Sequence, residues 1–396
     1  MIYTNAAARA YARAAGAARE VAMQTRAAVL HEMGPKRPYS ESKPLSIETV
    51  ELAGPARGEV LVKMHAAGLC HSDLSSIDGN RPRPTPMVLG HEAAGEIVEL
   101  GEGVTDFAIG DHVVCAFVPS CGHCPYCADG RAALCTPGAE ANNAGVMLSG
   151  GRRLSQNGHE VHHHLGVSGF AEYAVVATES LIRIDKSLDF DIAAVFGCAV
   201  LTGVGAVLQT ARMRLGQSVL VVGLGGVGLS AVLGAIAGGA SQIIAADIAP
   251  DKLETARSLG ATATVDTRDE HALEQIRDLT GGGVDLAAEF AGVDKALEFA
   301  FAATGKGGTT VTAGLQHPDS RMSLPALTLV AQERRLLGSY LGGHVPKLDI
   351  PDYIALYQAG RLPVDRLLTH RLTLDEINLG FERLAAGEAI RQVIQF

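Results

Sequence analysis

Seven cysteines are spread over 396 residues, and four of them stand in one short run. Cys121-Gly-His-Cys124-Pro-Tyr-Cys127, with Cys135 beyond seven further residues, has the form C-x2-C-x2-C-x7-C. Thiolates suit zinc, and four on one turn-rich loop close a tetrahedral shell with no position left for water, so the expected site is structural. Binding would order a loop that lacks the apolar residues to fold alone. Similar spacings also hold iron-sulfur clusters. Disulfides are the third reading, disfavoured by the crowding of the four and by a reducing compartment. Two further cysteines have ligand-like surroundings: Cys70 in Gly-Leu-Cys70-His-Ser-Asp and Cys198 in Phe-Gly-Cys198-Ala-Val-Leu-Thr. His91, in Leu-Gly-His91-Glu, is a candidate third ligand, and Cys115 reads as a small core residue in an apolar strand.

A second chemistry lies at Gly223-Leu-Gly225-Gly-Val-Gly228, which follows a strand pattern and opens a helix pattern, with Asp247 closing the next strand. Gly223 makes the tight turn, Gly225 lets the backbone approach a pyrophosphate, and Gly228 lets helix and strand pack closely. Free N-H groups at the helix start favour the anion. A carboxylate at Asp247 accepts both ribose hydroxyls of NAD and repels the 2'-phosphate of NADP, and Ile248 and Ala249 supply no Arg to offset that. The plain alternative is a glycine turn without a ligand.

The elements that must hold these groups fall into two textures. From Arg26 to Ala177 the chain is strand-like, with short apolar or alternating runs at Arg26–Leu30, Glu59–Lys63, Gly95–Leu100, Asp111–Cys115 and Glu172–Ala177. After Thr202 strands alternate with helices, the strand candidates being 218–222, 242–246, 263–265, 284–289 and 309–313, a rhythm that implies a parallel sheet covered on both faces. From Tyr340 the rhythm fades, and the chain is expected to rejoin its first half. Two domains suit 396 residues, and 47% hydrophobic against 19% charged residues leaves no room for extensive disorder. A net charge of -10 without a Lys/Arg run argues against nucleic acid and for a small-molecule partner. The uncharged stretch Ser218 to Ala240 is long enough for a bilayer, but its clustered glycines divide it into strand, turn and helix. No membrane partner is expected. Residues 1–22 are Ala-rich and read as an extension without a secretory pattern. Metal-like cysteine spacing points to a reducing, cytoplasmic compartment.

The order GLCHSD, GHE, four-Cys loop, GC-x3-TG, GLGGVG and then Asp resembles the zinc-dependent medium-chain alcohol dehydrogenases, from Arg26 to Phe396. The resemblance implies an α/β architecture: a mostly-β GroES-like catalytic domain (23–199 and 341–396, with a structural zinc lobe near 119–137) around a Rossmann doubly wound domain (200–340). It implies that Cys70, His91 and Cys198 hold a catalytic zinc with one open position, so that each subunit carries two zinc ions and uses NAD. Zinc then lowers the pKa of an alcohol, whose hydride passes to the nicotinamide, and polarises the carbonyl in the reverse direction. Ser72 matches the first proton-relay group. Asp73 and Glu92 match acids behind the ligands, Asp73 orienting His91. His71 and Arg391 resemble pyrophosphate partners, Lys252 an adenosine-ribose contact, and Thr202 and Val227 neighbours of the nicotinamide. Without the resemblance, Arg391 would read as a solvated charge.

The chain departs from the family's pattern in places. Where well-studied members place a histidine five residues after the first ligand Cys, Ser75 stands here, and a weaker base-assisted step at low pH follows. Thr136 to Ser168 resembles the long insertion of dimeric members and suggests a homodimer. His162-His-His164-Leu-Gly lies where the family lines its substrate pocket, with His164 in place of an apolar or aromatic residue. It reads either as a polar wall suited to a substrate with a second oxygen or as a loop facing solvent. Phe117, Leu165, Leu315 and Tyr340 are the expected apolar walls. A glutathione-dependent formaldehyde dehydrogenase would need an Arg after the last structural Cys and acidic groups before GHE. Those places hold Ala139, Asn80 and Pro82. A silent, zinc-stabilised NAD(H)-binding sensor is the reading from another class, opposed by the open metal position and Ser72.

Overall fold

The computed structural model describes residues 21–396, so residues 1–20, most of the expected N-terminal extension, lie outside the described residues. Six parallel strands form one sheet in the order Ala263–Asp266, Gln242–Asp247, Ser218–Val222, Val284–Glu289, Thr304–Thr312, Arg335–Gly338. The inner strands are near-continuous apolar runs because helices cover both faces, and Val219, Leu220 and Val221 are fully buried. The strand order reverses beside Ser218–Val222, and a crevice opens there at the carboxyl ends of the strands. Five of the six strands follow the sequence pattern. The sixth, Arg335–Gly338, is a four-residue edge with only two leucines, too short to give a periodic signal.

The β-rich part contains a closed barrel of Val21–Leu30, Leu45–Ala53, Leu154–Gln156, His159–His163 and Met87–Val88. Beside it lies a seven-stranded sheet centred on Glu59–Gly68. The last strand, Arg391–Gln395, pairs antiparallel with Glu59–Gly68, Val393 opposite Gly68, and this carries Arg391 next to the Cys70 turn. The insertion from Thr136 to Ser168 is not an appendage: after the helix Thr136–Ala144 it gives two strands to the barrel. A buried fork pins it, with Arg153 Nε and Nη2 each 2.6 Å from a Glu59 carboxylate oxygen. Fully desolvated charges demand such two-point pairing.

The stretch Ser218 to Ala240 resolves into the strand Ser218–Val222, the glycine turn and the helix Gly226–Ala237. Another helical stretch, Phe190–Thr210, is long and apolar enough to cross a membrane, but 89% of its apolar 18-residue window is buried inside the protein. It is a core element, and it carries Cys198 and Thr202.

Candidate metal and dinucleotide site

The helix His71–Ile77 starts at its N-cap, Cys70, and its third residue is Asp73. The Asp73 carboxylate is fully buried and gathers the surrounding loop: Oδ2 accepts the Cys70 amide at 3.2 Å and Oδ1 accepts the Gly90 amide at 3.2 Å. The same Oδ1 lies 3.0 Å from His91 Nδ1. A carboxylate can only accept, so His91 carries its proton on Nδ1 and presents the lone pair of Nε2. That Nε2 is buried and has no protein partner.

One ligand atom from each of Cys70, His91, Glu92 and Cys198 falls within 4.8 Å of the others, all four residues buried. Cys198 arrives from the core helix, and its thiol hydrogen-bonds Cys70 and holds that thiol well below the usual range. Donors on one tetrahedral zinc stand about 3.5 to 4 Å apart. The orphaned imidazole nitrogen, two sulfurs and their spacing therefore fit that ion. A second cluster joins Cys121, Cys124, Cys127 and Cys135 within the same 4.8 Å limit. Backbone amides already point at its sulfurs, Cys121 N-H and Gly138 N-H at Cys135 Sγ (3.2 and 3.4 Å) and Cys124 N-H at Cys121 Sγ (3.3 Å). All seven cysteines are free of disulfides. Burial alone pushes the Cys115 thiol up to about 12, as befits an inert core residue.

Glu92 stands behind the first cluster. Burial pushes its carboxyl up to about 8, against the pull of Arg391, whose Nη1 lies 3.2 Å from Oε1. Arg391 is thus not the solvated charge its place near the end of the chain suggests; it is 4% exposed. Its Nη1 donates to the Leu69 carbonyl, and its Nε is buried without a partner against Gly226, at the start of the helix Gly226–Ala237. One side chain therefore links the metal cluster to the glycine turn.

In that turn each glycine has a separate reason. Gly223 has φ +87, and a Cβ there would sit 2.6 Å from the Ala291 amide. A Cβ on Gly228 would collide with the Gly223 carbonyl. A Cβ on Gly225 would meet nothing within 4 Å, so only a ligand can require glycine there. Asp247 closes its strand half-buried and accepts the Leu224 amide at 2.6 Å and the Ala249 amide at 3.0 Å. The residues around Gly225 and Asp247 fit a dinucleotide. Thr202 is buried, and a Cβ on its neighbour Gly203 would overlap the Val227 carbonyl, so these two candidate positions converge. His71 follows the ligand Cys70 and is exposed, Ser72 is half-buried on the same turn, and Lys252 lies half-buried in the helix Pro250–Leu259.

The expected substrate walls are brought together in part. Phe117 makes edge contacts with His91 (centroids 5.1 Å) and Tyr340 (6.1 Å). Leu165 is buried in the same apolar cluster as Cys70 and Cys198. Leu315 and Tyr340 are 51% and 41% exposed and line an open cavity of about 960 Å³. The reading of the triple-His loop as solvent-facing is overturned: His163 and His164 are each 1% exposed. His164 Nδ1 lies 3.3 Å from Asp73 Oδ1 without an aligned hydrogen bond, and its ring is 5.7 Å from His91. His163 Nε2 accepts the Arg153 amide at 3.0 Å, a structural task. Ser75 donates to the His71 carbonyl at 2.9 Å, so its hydroxyl is engaged with its own helix. Sequence reasoning passed over Arg81 and Arg83, both half-buried in the loop before Gly90; their signal is the Arg-Pro-Arg-Pro run.

Two family models match, the alcohol dehydrogenase GroES-like domain over residues 56–186 and the zinc-binding dehydrogenase domain over residues 226–359. An NDMA-dependent alcohol dehydrogenase of Amycolatopsis methanolica is 40% identical, covering 94% of this chain and 99% of its own. An S-(hydroxymethyl)glutathione dehydrogenase of Synechocystis is 37% identical over 94% of this chain and all of its own. Among solved structures, benzyl alcohol dehydrogenase from Acinetobacter calcoaceticus superposes with a TM-score of 0.88 at 31% identity, covering 94% of this chain and 99% of that one. With this coverage, two intact cysteine clusters and a Rossmann-ordered sheet, the chain belongs to the zinc-binding, medium-chain alcohol dehydrogenases, a family of oxidoreductases.

Proposed function

We propose that this protein oxidises a small primary or secondary alcohol, reversibly, with NAD as hydride acceptor and with two zinc ions per subunit, one catalytic and one structural. The observation that carries the reading is the buried meeting of Cys70, His91 and Cys198 around an unpartnered His91 Nε2. Zinc at those residues supplies a Lewis acid that brings an alcohol's pKa toward neutrality, and NAD supplies the hydride acceptor. Asp73 fixes the His91 tautomer and the Cys70 backbone together. Glu92 and Arg391 balance charge behind the ligands, and Arg391 and His71 reach toward the pyrophosphate. Ser72 Oγ takes the alcohol proton and passes it toward the nicotinamide ribose. Gly223, Gly225 and Gly228 cradle the pyrophosphate, Asp247 and Lys252 hold the adenosine ribose, and Thr202 and Val227 flank the nicotinamide. The walls nearest the reacting carbon are Phe117, His164 and Leu165, with Leu315 and Tyr340 further out.

The same reading divides the chain into a catalytic domain (23–199 and 341–396) and a cofactor domain (200–340), which the separate sheets support. It makes the protein a cytoplasmic homodimer, supported by seven unpaired cysteines and by Leu327 and Val330, 77% and 79% exposed on one short helix. The test is zinc per subunit, followed by NADH absorbance over linear, branched and aromatic alcohols, with NADP, glutathione and NDMA as separate arms. Two zincs with NAD-linked turnover of a free alcohol is the expected result. Turnover only with the thiol, only with NADP, or none beside tight NADH binding would refute the reading, and turnover only with NDMA would align the chain with its Amycolatopsis relative.

A further inference from the structure

Glu289 ends the strand Val284–Glu289 with a fully buried carboxylate. Its oxygens are met by donors. Oε1 accepts the Gly292 amide at 2.7 Å, and Oε2 accepts the Thr312 hydroxyl at 2.6 Å and Gln316 Nε2 at 3.4 Å. The backbone carbonyl of Glu289 accepts the Ala313 and Gly314 amides at 3.0 and 3.2 Å. A Cβ on Gly314 would lie 2.8 Å from both carboxylate oxygens, so glycine there makes room for the side chain of Glu289.

These bonds join two strand ends to the glycine turn. The segment Phe290–Gly292 leaves Glu289 and packs on that turn: the Phe290 amide donates to the Val222 carbonyl at 2.8 Å, and a Cβ on Gly223 would lie 2.6 Å from the Ala291 nitrogen. Thr312 to Leu315 form the other end, and they wall the cavity of about 960 Å³ beside Tyr340. The sheet order gives the space between these segments a use. Asp247 closes the strand on one side of Ser218–Val222, and Glu289 closes the strand on the other. A dinucleotide with its adenosine end at Asp247 and its pyrophosphate at Gly225 therefore extends its nicotinamide half toward Phe290–Gly292 and Thr312–Leu315.

We propose that Glu289 is a positioning residue for the nicotinamide half of the cofactor, its carboxylate clamping the turn at Gly292 to the strand end at Thr312 and so setting the width of the crevice. The inference rests on the NAD-dependent reading and adds a residue to it. Glu289 acts through the backbone of the two segments that it joins. Glu289→Gln keeps most of the clamp, because its oxygen can accept the Gly292 N-H while its amide donates to Thr312 Oγ. Glu289→Ala removes the clamp, and Thr312→Val, nearly equal in size, removes one arm of it.

The test titrates the zinc-loaded protein with NADH by fluorescence and with ADP by calorimetry, and melts each variant without ligand to register folding. ADP carries the adenosine and both phosphates but no nicotinamide. NADH affinity should fall about tenfold in Glu289→Ala and about threefold in Thr312→Val, with ADP affinity within about twofold of the parent and Glu289→Gln close to the parent for both ligands. Loosening of the whole cofactor domain would weaken NADH and ADP alike, and that result overturns the inference. So does unaltered NADH affinity in Glu289→Ala and Thr312→Val, or a Glu289→Gln variant as weak as Glu289→Ala. If Glu289→Ala does not fold, Thr312→Val decides alone. Parent protein that binds neither NADH nor ADP refutes the NAD-dependent reading itself, and the inference falls with it.

Discussion

Two alanine substitutions three residues apart should damage this protein in opposite ways. At Gly225 the backbone (φ -73, ψ -174) is open to any residue, and an added Cβ meets nothing within 4 Å. Restricting the unfolded chain gains about 0.4–1 kcal/mol. Losing glycine as helix N-cap costs about 0.5–1 kcal/mol. The two nearly cancel, so Gly225→Ala should melt within about 2 °C of the parent in the absence of cofactor. The methyl group points into the space where a pyrophosphate would touch the backbone, so NADH affinity should fall at least about tenfold, or about 1.4 kcal/mol. Gly228→Ala reverses the pattern. Its Cβ collides with the Gly223 carbonyl, which cannot retreat because Gly223 is itself packed on Ala291. Helix and strand must part, at about 1–3 kcal/mol or more. The assays are melting without cofactor and fluorescence titration with NADH. Saturating NADH should then stabilise Gly225→Ala by about 1.4 kcal/mol less than the parent at equal concentration. Gly225→Ala with unaltered NADH affinity, or with a melting loss like that of Gly228→Ala, would refute the assignment of this turn to a dinucleotide.

Three further outcomes follow from other sites. Burial holds the His163 imidazole down to about 3, below the ordinary value near 6.5 of the unfolded chain. A depressed histidine penalises the folded state once protons bind. Its stability is complete above pH 6.5 and is lost as pH falls toward 3, about 2.7 kcal/mol by pH 4.5. His163→Gln should therefore flatten the stability profile between pH 6.5 and 4.5 by about one proton, and an unchanged slope in denaturant melts would exclude this. Asp73→Asn keeps the shape but removes the charge that accepts from His91, Cys70 and Gly90, so catalytic-zinc affinity measured by competition with a chelator should weaken about 10–100-fold. Cys135→Ala should release a single zinc per subunit, unfold the 121–135 loop to proteolysis, and leave the Cys70 cluster loaded; loss of both ions together would contradict separate sites.

The parts of this molecule legible in its sequence are those whose chemistry is forced by near neighbours. Cys121 to Cys135 read as one cluster because four thiols stand at metal-ligand spacing on one turn-rich loop, and Gly223 must be glycine because the turn needs φ +87. The strands Ser218–Val222 and Val284–Glu289 announce themselves because burial on both faces leaves them continuously apolar. What was not legible depends on chain segments meeting from afar. Nothing local says that Arg153 will find Glu59, 94 residues away, or that His163 will turn inward because the Arg153 amide needs an acceptor. The histidine loop was left open between a pocket wall and a solvent-facing loop for that reason: three imidazoles in a row look polar until the Arg153 amide that His163 accepts is in place.

Asp73 shows both sides of that division. Its task of orienting His91 followed from the family motif, but its hold on the Cys70 and Gly90 amides needed the fold. One buried carboxylate that fixes a ligand's ring, another ligand's backbone and the turn between them couples the geometry of the metal cluster to the packing of the helix His71–Ile77. The cluster is therefore tied to that helix, and the freedom needed to admit different alcohols lies beyond Phe117, where Tyr340 is 41% exposed.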